Sequence, residues 1–315
     1  MHISFCAYFM MCLLFTDTYS FLFSDPKLFK LKLNKNKYNL KTNSNKHSKK
    51  YTVIHNKKNI VLTYNNITEY FHDNDYLKDK KVINIYPAGI KGFYEMGIST
   101  YIKERYNLEH IVFSGASAGA WNSLMLSYKG NISEFNKIIF DINFHEIKSI
   151  YKLQCILKQK LMLSFSSDDF ELEKLFIGVT VFEHFFPKTY IYTDFVSLED
   201  ALDCIIASSN IPCITGKFFC YYKNKLSFDG GFRSDPFIHH PYKSILIHPS
   251  LLKQCNILND DYPDNMNDKK DNQNIIIEDN HFIVDNNKFK NLFYQGYQDA
   301  IKYKHIIKRK LKKWF

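Results

Sequence analysis

Two short runs hold residues able to do covalent chemistry. Gly115-Ala116-Ser117-Ala118-Gly119 is a G-x-S-x-G pentapeptide, and Phe228-Asp229-Gly230-Gly231 sets a carboxylate before two glycines. A serine hydroxyl is a weak nucleophile until a neighbouring base takes its proton. Glycines two residues before and after Ser117 allow a turn too tight for side chains at those positions. An isolated Asp-Gly-Gly is well suited to a plain turn. Here it competes with a need, because Ser117 requires a base and Asp229 follows an expected strand end, where catalytic groups of open α/β sheets gather. His239-His240, shortly after the glycines, raise the rival of a Ser–His–Asp arrangement.

G-x-S-x-G signals a nucleophile when a strand precedes it and a helix follows. His110 to Phe113 is short, apolar and β-branched, which predicts a buried strand, and Trp121 to Tyr128 predicts a helix. Upstream, Val82 to Tyr86 is a strand, Pro87 to Gly92 a small-residue loop, and Phe93 to Tyr106 a helix with Met96, Ile98, Tyr101 and Ile102 on its apolar face. Strand, loop, helix, strand, turn, helix is the pattern of a parallel sheet with right-handed crossovers. Residues 132–176 carry apolar residues at helical spacing and predict two or three helices capping the site. Ile177–Phe182 and Thr189–Tyr192 are expected to pair. Ser197 caps a helix running to Ser208, with Asp200 in the capping-box position. Residues 218–222, 225–228 and 244–248 are further expected strands, and Ile60–Leu62 a possible edge strand. Phe289 to Phe315 is expected as one long helix, mildly interrupted at Gly296.

The chain has 315 residues, is 45% apolar and carries a formal charge of +10. The charge sits at the ends. Residues 1–58 hold eleven lysines against Asp17 and Asp25, or +9, and residues 302–313 hold six lysines and Arg309, or +7. The middle is left at −6, so a nucleic-acid-binding body is disfavoured. The cysteines form no C-x-x-C pair and no His-bearing ligand pattern, so no zinc site is expected. Phe5 to Phe15 is too short to span a bilayer and reads as a signal peptide or signal anchor within 1–23. A basic, Lys/Asn-rich leader, 24–60, follows; the pair fits a secretory route, membrane association, or import into an organelle such as a secondary plastid. The remaining expected organisation is a catalytic domain over 78–253, a disordered polar loop over 255–274, and a hairpin and basic helix over 275–315.

With Ala88-Gly89-Ile90-Lys91-Gly92, Gly115–Gly119, Asp229–Gly231 and the run from Tyr192 to Pro212 in this order, the chain resembles the patatin-like phospholipases. It is closest to their animal-type, adiponutrin-like branch, and the likeness covers about 80–250. The resemblance implies an α/β, three-layer fold, with a mostly parallel central sheet, helices on both faces, and a nucleophile elbow between strand and helix. It implies a Ser–Asp dyad, with Ser117 as nucleophile, Asp229 as base, and Gly115 and Gly119 supporting the elbow. Backbone N–H groups of Gly89, Ile90, Lys91 and Gly92 would form the oxyanion hole, with no metal or cofactor. The expected substrates are phospholipids or acylglycerols at a membrane or lipid-droplet surface. The resemblance, and the place of the histidines beside Pro241, argue against a catalytic histidine. One departure stands out: the family loop opens on two or three glycines, this one on Pro87-Ala88-Gly89. Proline lacks an N–H and alanine resists positive φ. Two alternatives share the site: a silent lipid-binding protein, and an acyltransferase.

Overall fold

In the computed structural model the described residues are 60–62, 70, 74–77, 80–144, 147, 149–183, 186–232, 236–238, 244–249 and 286–312. All fall in one compact unit, Lys57–Phe315. The leader, the polar loop, the hairpin and His239-His240 lie outside the described residues.

The protein is α/β, with a mixed sheet whose central strands are parallel. In chain order the strands are β1 (Ile60–Leu62), β2 (Lys81–Ile85), β3 (Ile111–Gly115), β4 (Leu175–Glu183), β5 (Phe186–Thr193), β6 (Tyr221–Tyr222), β7 (Lys225–Phe228) and β8 (Ser244–Ile247). Their order in space is β1-β5-β4-β3-β2-β8, with β7 on β4 and β6 on β7. β8, β2, β3 and β4 run parallel; β1, β5 and β7 join antiparallel. The helices are α1 (Gly92–Arg105), α2 (Ala118–Ser127), α3 (Ile132–Phe140), α4 (Ile150–Ser164), α5 (Leu198–Ser208), α6 (Asn286–Lys302) and α7 (Lys304–Lys312). Asn131, Ser149 and Ser197 start α3, α4 and α5 by accepting a backbone N–H in the first turn, each cap worth about 1 kcal/mol. Asp200 does not close a capping box: its carboxylate takes the Val196 N–H and the Tyr222 hydroxyl instead.

Helices α1 to α7 share one face of the sheet, and Tyr70, a described helical residue outside them, packs on the other. β2, β3 and β4 are adjacent and sequential, so two right-handed crossovers put α1 and α2 on the same side. Ile83, Phe113, Ile177, Val179 and Tyr192 pack on that side with residues of all seven helices. The alternate residues Val82, Val112, Phe176 and Ile191 face the other way and meet Tyr70, Leu77 and Ile238. The C-terminal helix differs from expectation. It breaks at Tyr303, and Gly296 lies within α6. Gly296 and Gly97 are contact points between α6 and α1: a methyl on either would collide with a backbone carbonyl, of Tyr94 or Phe293. The break turns Ile307 and Leu311 onto the cluster of Tyr101 and Leu108. The apolar stripe of this basic segment therefore faces the protein. No helix among the described residues is long and apolar enough to cross a membrane.

Candidate active site

Ser117 and Asp229 meet because two strands share one edge of β4. β5 occupies the other edge over its whole pairing, Ile177 to Glu183. β3 runs alongside β4 and stops at Gly115, opposite Ile177. β7 comes from the opposite direction and stops at Phe228, opposite Thr180. The two chain ends leave the sheet facing one another, one through Ala116-Ser117 and the other through Asp229-Gly230. They are in contact: a methyl on Gly230 would strike the Ala116 Cβ and the Gly178 carbonyl.

Ser117 has φ 52° and ψ −126° and is the residue immediately before α2. Such a conformation in a non-glycine residue costs of order 1–3 kcal/mol and persists only where the surroundings over-determine it. The surroundings are explicit. The Ser117 N–H donates to Ser208 Oγ at 2.9 Å, and that hydroxyl donates to the Gly178 carbonyl at 2.6 Å. The Gly119 N–H closes the turn on the Ala116 carbonyl at 2.9 Å. Gly119 lies against the carbonyls of Ile85 and Tyr86, and Gly115 against the Gly119 carbonyl and Ser123 Oγ, leaving no room for a side chain at either.

Asp229 is buried. Its N–H donates to the Asn210 carbonyl at 2.9 Å, and its Oδ1 accepts the Gly231 N–H at 2.7 Å. The Ser117 side chain is near enough to the same carboxylate to lower its pKa. Burial pushes the Asp229 pKa up to about 6, against the lowering effect of Ser117 and the Gly231 N–H. A carboxylate poised there is matched to proton transfer near neutrality.

The loop before α1 divides the expected oxyanion donors. Gly89–Lys91 is a 3-10 turn in which the Lys91 N–H donates to the Ala88 carbonyl at 3.1 Å, and the Gly92 N–H to Gly89 and Ile90 carbonyls. Lys91 and Gly92 are therefore not free donors, a correction to the expected set. The N–H groups of Gly89 and Ile90, like that of Ala118, donate to no described backbone group. They are the orphan amides that any helix start leaves. Ala88 sits at φ −117°, and the positive φ falls on Gly89, at 54°. The Pro87-Ala88 opening imposes no strain, because the position that needs glycine has it.

Gly89, Ile90, Ser117 and Ala118 line a cavity of about 150 Å³. Its walls are chiefly apolar: Phe93 and Met96 of α1, Trp121 and Met125 of α2, Phe135 of α3 and Leu157 of α4 are among them. Among the described residues no group of three or more His, Cys, Asp or Glu is arranged to hold a metal ion. No protein-family model matches the chain, and no curated protein matches it.

Two supports of the site lie outside the motifs: Ser208 holds the Ser117 N–H and Asn210 holds the Asp229 N–H, while Ala118, within the pentapeptide, lines the cavity beside Ser117. Ser208 and Asn210 lie in the run Ala207 to Pro212, which sequence order flagged without assigning either residue a task.

Proposed function

We propose that the protein is a lipid acyl hydrolase of the patatin-like type, cleaving carboxylic esters through a Ser117–Asp229 dyad. The observation that carries this reading is the pairing of Ser117, strained at the start of α2 and lining a chiefly apolar cavity, with the buried Asp229 carboxylate, whose pKa is pushed up to about 6. The turn at Ser117 acts as the nucleophile elbow. Asp229 takes the hydroxyl proton as Oγ attacks the ester carbonyl carbon. Negative charge gathers on the carbonyl oxygen and is met by N–H groups of Gly89 and Ile90, with Ala118 beside them; one such donor is typically worth about 3 kcal/mol. The tetrahedral intermediate collapses, Asp229 returns the proton to the leaving alkoxide, and the acyl group stays on Ser117. Water activated by Asp229 then hydrolyses that ester. Transfer to another lipid alcohol differs only in the acceptor. No step calls for a metal or organic cofactor. The apolar walls suit an acyl chain, which makes phospholipids or acylglycerols, presented at a membrane or lipid-droplet surface, the substrate class. A silent scaffold finds no support in the loop, since Gly89 supplies the positive φ that the Ala88 position does not need.

Ser117→Ala is expected to abolish fatty-acid release from phospholipid vesicles and monoacylglycerol micelles, and to abolish labelling by a fluorophosphonate probe. Equal release by variant and wild type refutes the assignment.

A further inference from the structure

The strand that brings Ser117 and Asp229 together continues past them. β4 runs on from Thr180, level with the end of β7, to Glu183. Glu183 pairs with Phe186 of β5, and its carboxylate holds Lys225 of β7 on the other edge. Lys225 pairs with Tyr222 of β6, and Lys223 and Asn224 between them form a two-residue turn with φ of 49° and 60°. The β4–β5 and β6–β7 turns therefore point the same way, off the end of the sheet at which Ser117 and Asp229 lie. Three residues of extended strand separate Thr180 from Glu183, which puts the turns about 10 Å beyond the Asp229 loop.

This arm carries aromatic rings and lysines on its surface. Phe186, Phe219 and Tyr221 are 70%, 55% and 65% exposed. Phe218, its ring 4.6 Å from that of Phe219, and Phe182 are partly exposed. Lys188, Lys217 and Lys223 are exposed among them. Glu183 holds Lys188 at 3.2 Å as well as Lys225, and Asp200 holds Lys223 at 2.8 Å. Four lysines against two acids leave the arm positive. Glu199 and Asp203, the other acids on this part of α5, are turned to Lys158 of α4. Exposed rings gathered in one place mark an interaction surface. Rings interleaved with lysines suit the boundary of an anionic lipid layer, where the rings sink among the acyl chains and the ammonium groups stay with the headgroups. Two copies of so positive an arm would repel one another.

We propose that the β4–β5 and β6–β7 turns, with residues 217–223, dock the protein on an anionic lipid surface by inserting Phe186, Phe219 and Tyr221. This rests on the acyl-hydrolase reading above, which places the substrate in such a surface.

The test uses the full-length protein with Phe219→Trp as a local probe, Trp121→Phe and Trp314→Phe removing the native signals. It is mixed with phosphatidylcholine vesicles, with or without phosphatidylserine, carrying lipids brominated on the acyl chain. The emission is expected to shift to the blue and to be quenched, whereas Tyr294→Trp on α6, equally exposed, is not. Lys188→Gln with Lys217→Gln is expected to raise the lipid concentration needed for half-maximal quenching by about tenfold on the anionic vesicles. Phe186→Ser with Tyr221→Ser is expected to cut fatty-acid release from vesicles by about tenfold or more, while Ser117-dependent hydrolysis of a soluble butyryl ester is unchanged. Quenching no stronger at 219 than at 294, or full release from vesicles by the Phe186 and Tyr221 variant, overturns the docking arm and leaves the dyad standing. A blue shift that follows protein concentration without lipid also overturns it, making the arm an interface between copies. The expected quenching in a protein that hydrolyses no ester supports the arm and overturns the acyl-hydrolase reading.

Discussion

Two buried carboxyls govern how this protein responds to pH. Asp229 must be ionised to take the Ser117 proton, and burial holds its pKa at about 6. The expected kcat/KM therefore rises tenfold per pH unit below about 6 and levels off above it; a profile flat from pH 5 to 8 would count against Asp229 as the base. The same burial costs stability. The folded pKa lies above the ordinary 3.8, so the favourable contribution is present below that value and lost as pH rises through about 6. Two units correspond to about 3 kcal/mol at most. Asp229→Asn is thus expected to lower activity by about 10²–10⁴-fold while raising the melting temperature at pH 7.5. Glu95, in the first turn of α1, is fully buried, and its carboxyl oxygens bond to nothing among the described residues. Burial pushes its pKa well above the carboxylate range. Its sign is the same: stability is present at low pH and lost as pH rises. Glu95→Gln should flatten the fall in unfolding free energy between pH 5 and 8 measured by urea titration, and an unchanged slope would remove Glu95 as its source.

At the scale of elements, the site is where the end of one helix braces the start of another. The end of α5 supplies Ser208, whose hydroxyl accepts the Ser117 N–H and donates to the Gly178 carbonyl of β4. One side chain thereby ties α5, β4 and the strained residue together. Ser208→Ala leaves a buried N–H and a buried carbonyl without that partner. A loss of about 1–3 kcal/mol of support, if it falls on the reacting geometry, lowers kcat by roughly 10–100-fold. The readouts are kcat on a soluble short-chain ester and the rate of fluorophosphonate labelling, beside an unchanged far-ultraviolet circular dichroism spectrum. Full labelling speed in the variant would show that Ser117 holds its conformation without Ser208.

For the whole molecule, the C-terminal helices pack against α1, the helix that follows the Gly89 loop. α6 crosses α1 at Gly97 and Gly296. Tyr94 Oη donates to Asp299 at 2.9 Å, and Tyr297 Oη to Glu104 at 2.6 Å. The crossing brings Phe289 against Phe93, ring centroids 4.3 Å apart and stacked, and both line the cavity. Gly97→Ala should force the helices apart, at a cost of about 1–3 kcal/mol, seen as a lower melting temperature. It should also cut activity on long-chain esters more than on butyryl esters, because the cavity wall moves and the dyad does not. Equal losses on both would mean that α6 does not shape the acyl site.

What the sequence determined by itself is what depends on neighbours along the chain. Apolar runs of the right period mark β2, β3, α1 and α2, and the glycines at 115 and 119 mark the tight turn between β3 and α2. Ser197 marks a helix start through a contact within a few residues. What only the tertiary structure decided depends on segments far apart. Asp229 reaches Ser117 because β7 fills the edge of β4 that β3 leaves, and no local pattern in Asp-Gly-Gly says so. Which amides of the Gly89 loop stay free depends on how a single 3-10 turn closes. The bend at Tyr303 has no breaker residue to announce it; it is imposed by Ile307 and Leu311 packing onto Tyr101 and Leu108. α1 and α2 lie on one face because the strands they connect, β2, β3 and β4, are neighbours, and strand order is a property of the assembled sheet. Ser117 was legible as the residue of a tight, strained turn because that strain is local. Its nearness to Asp229 was legible only as a possibility, because register between distant strands is set by the packing of the whole core.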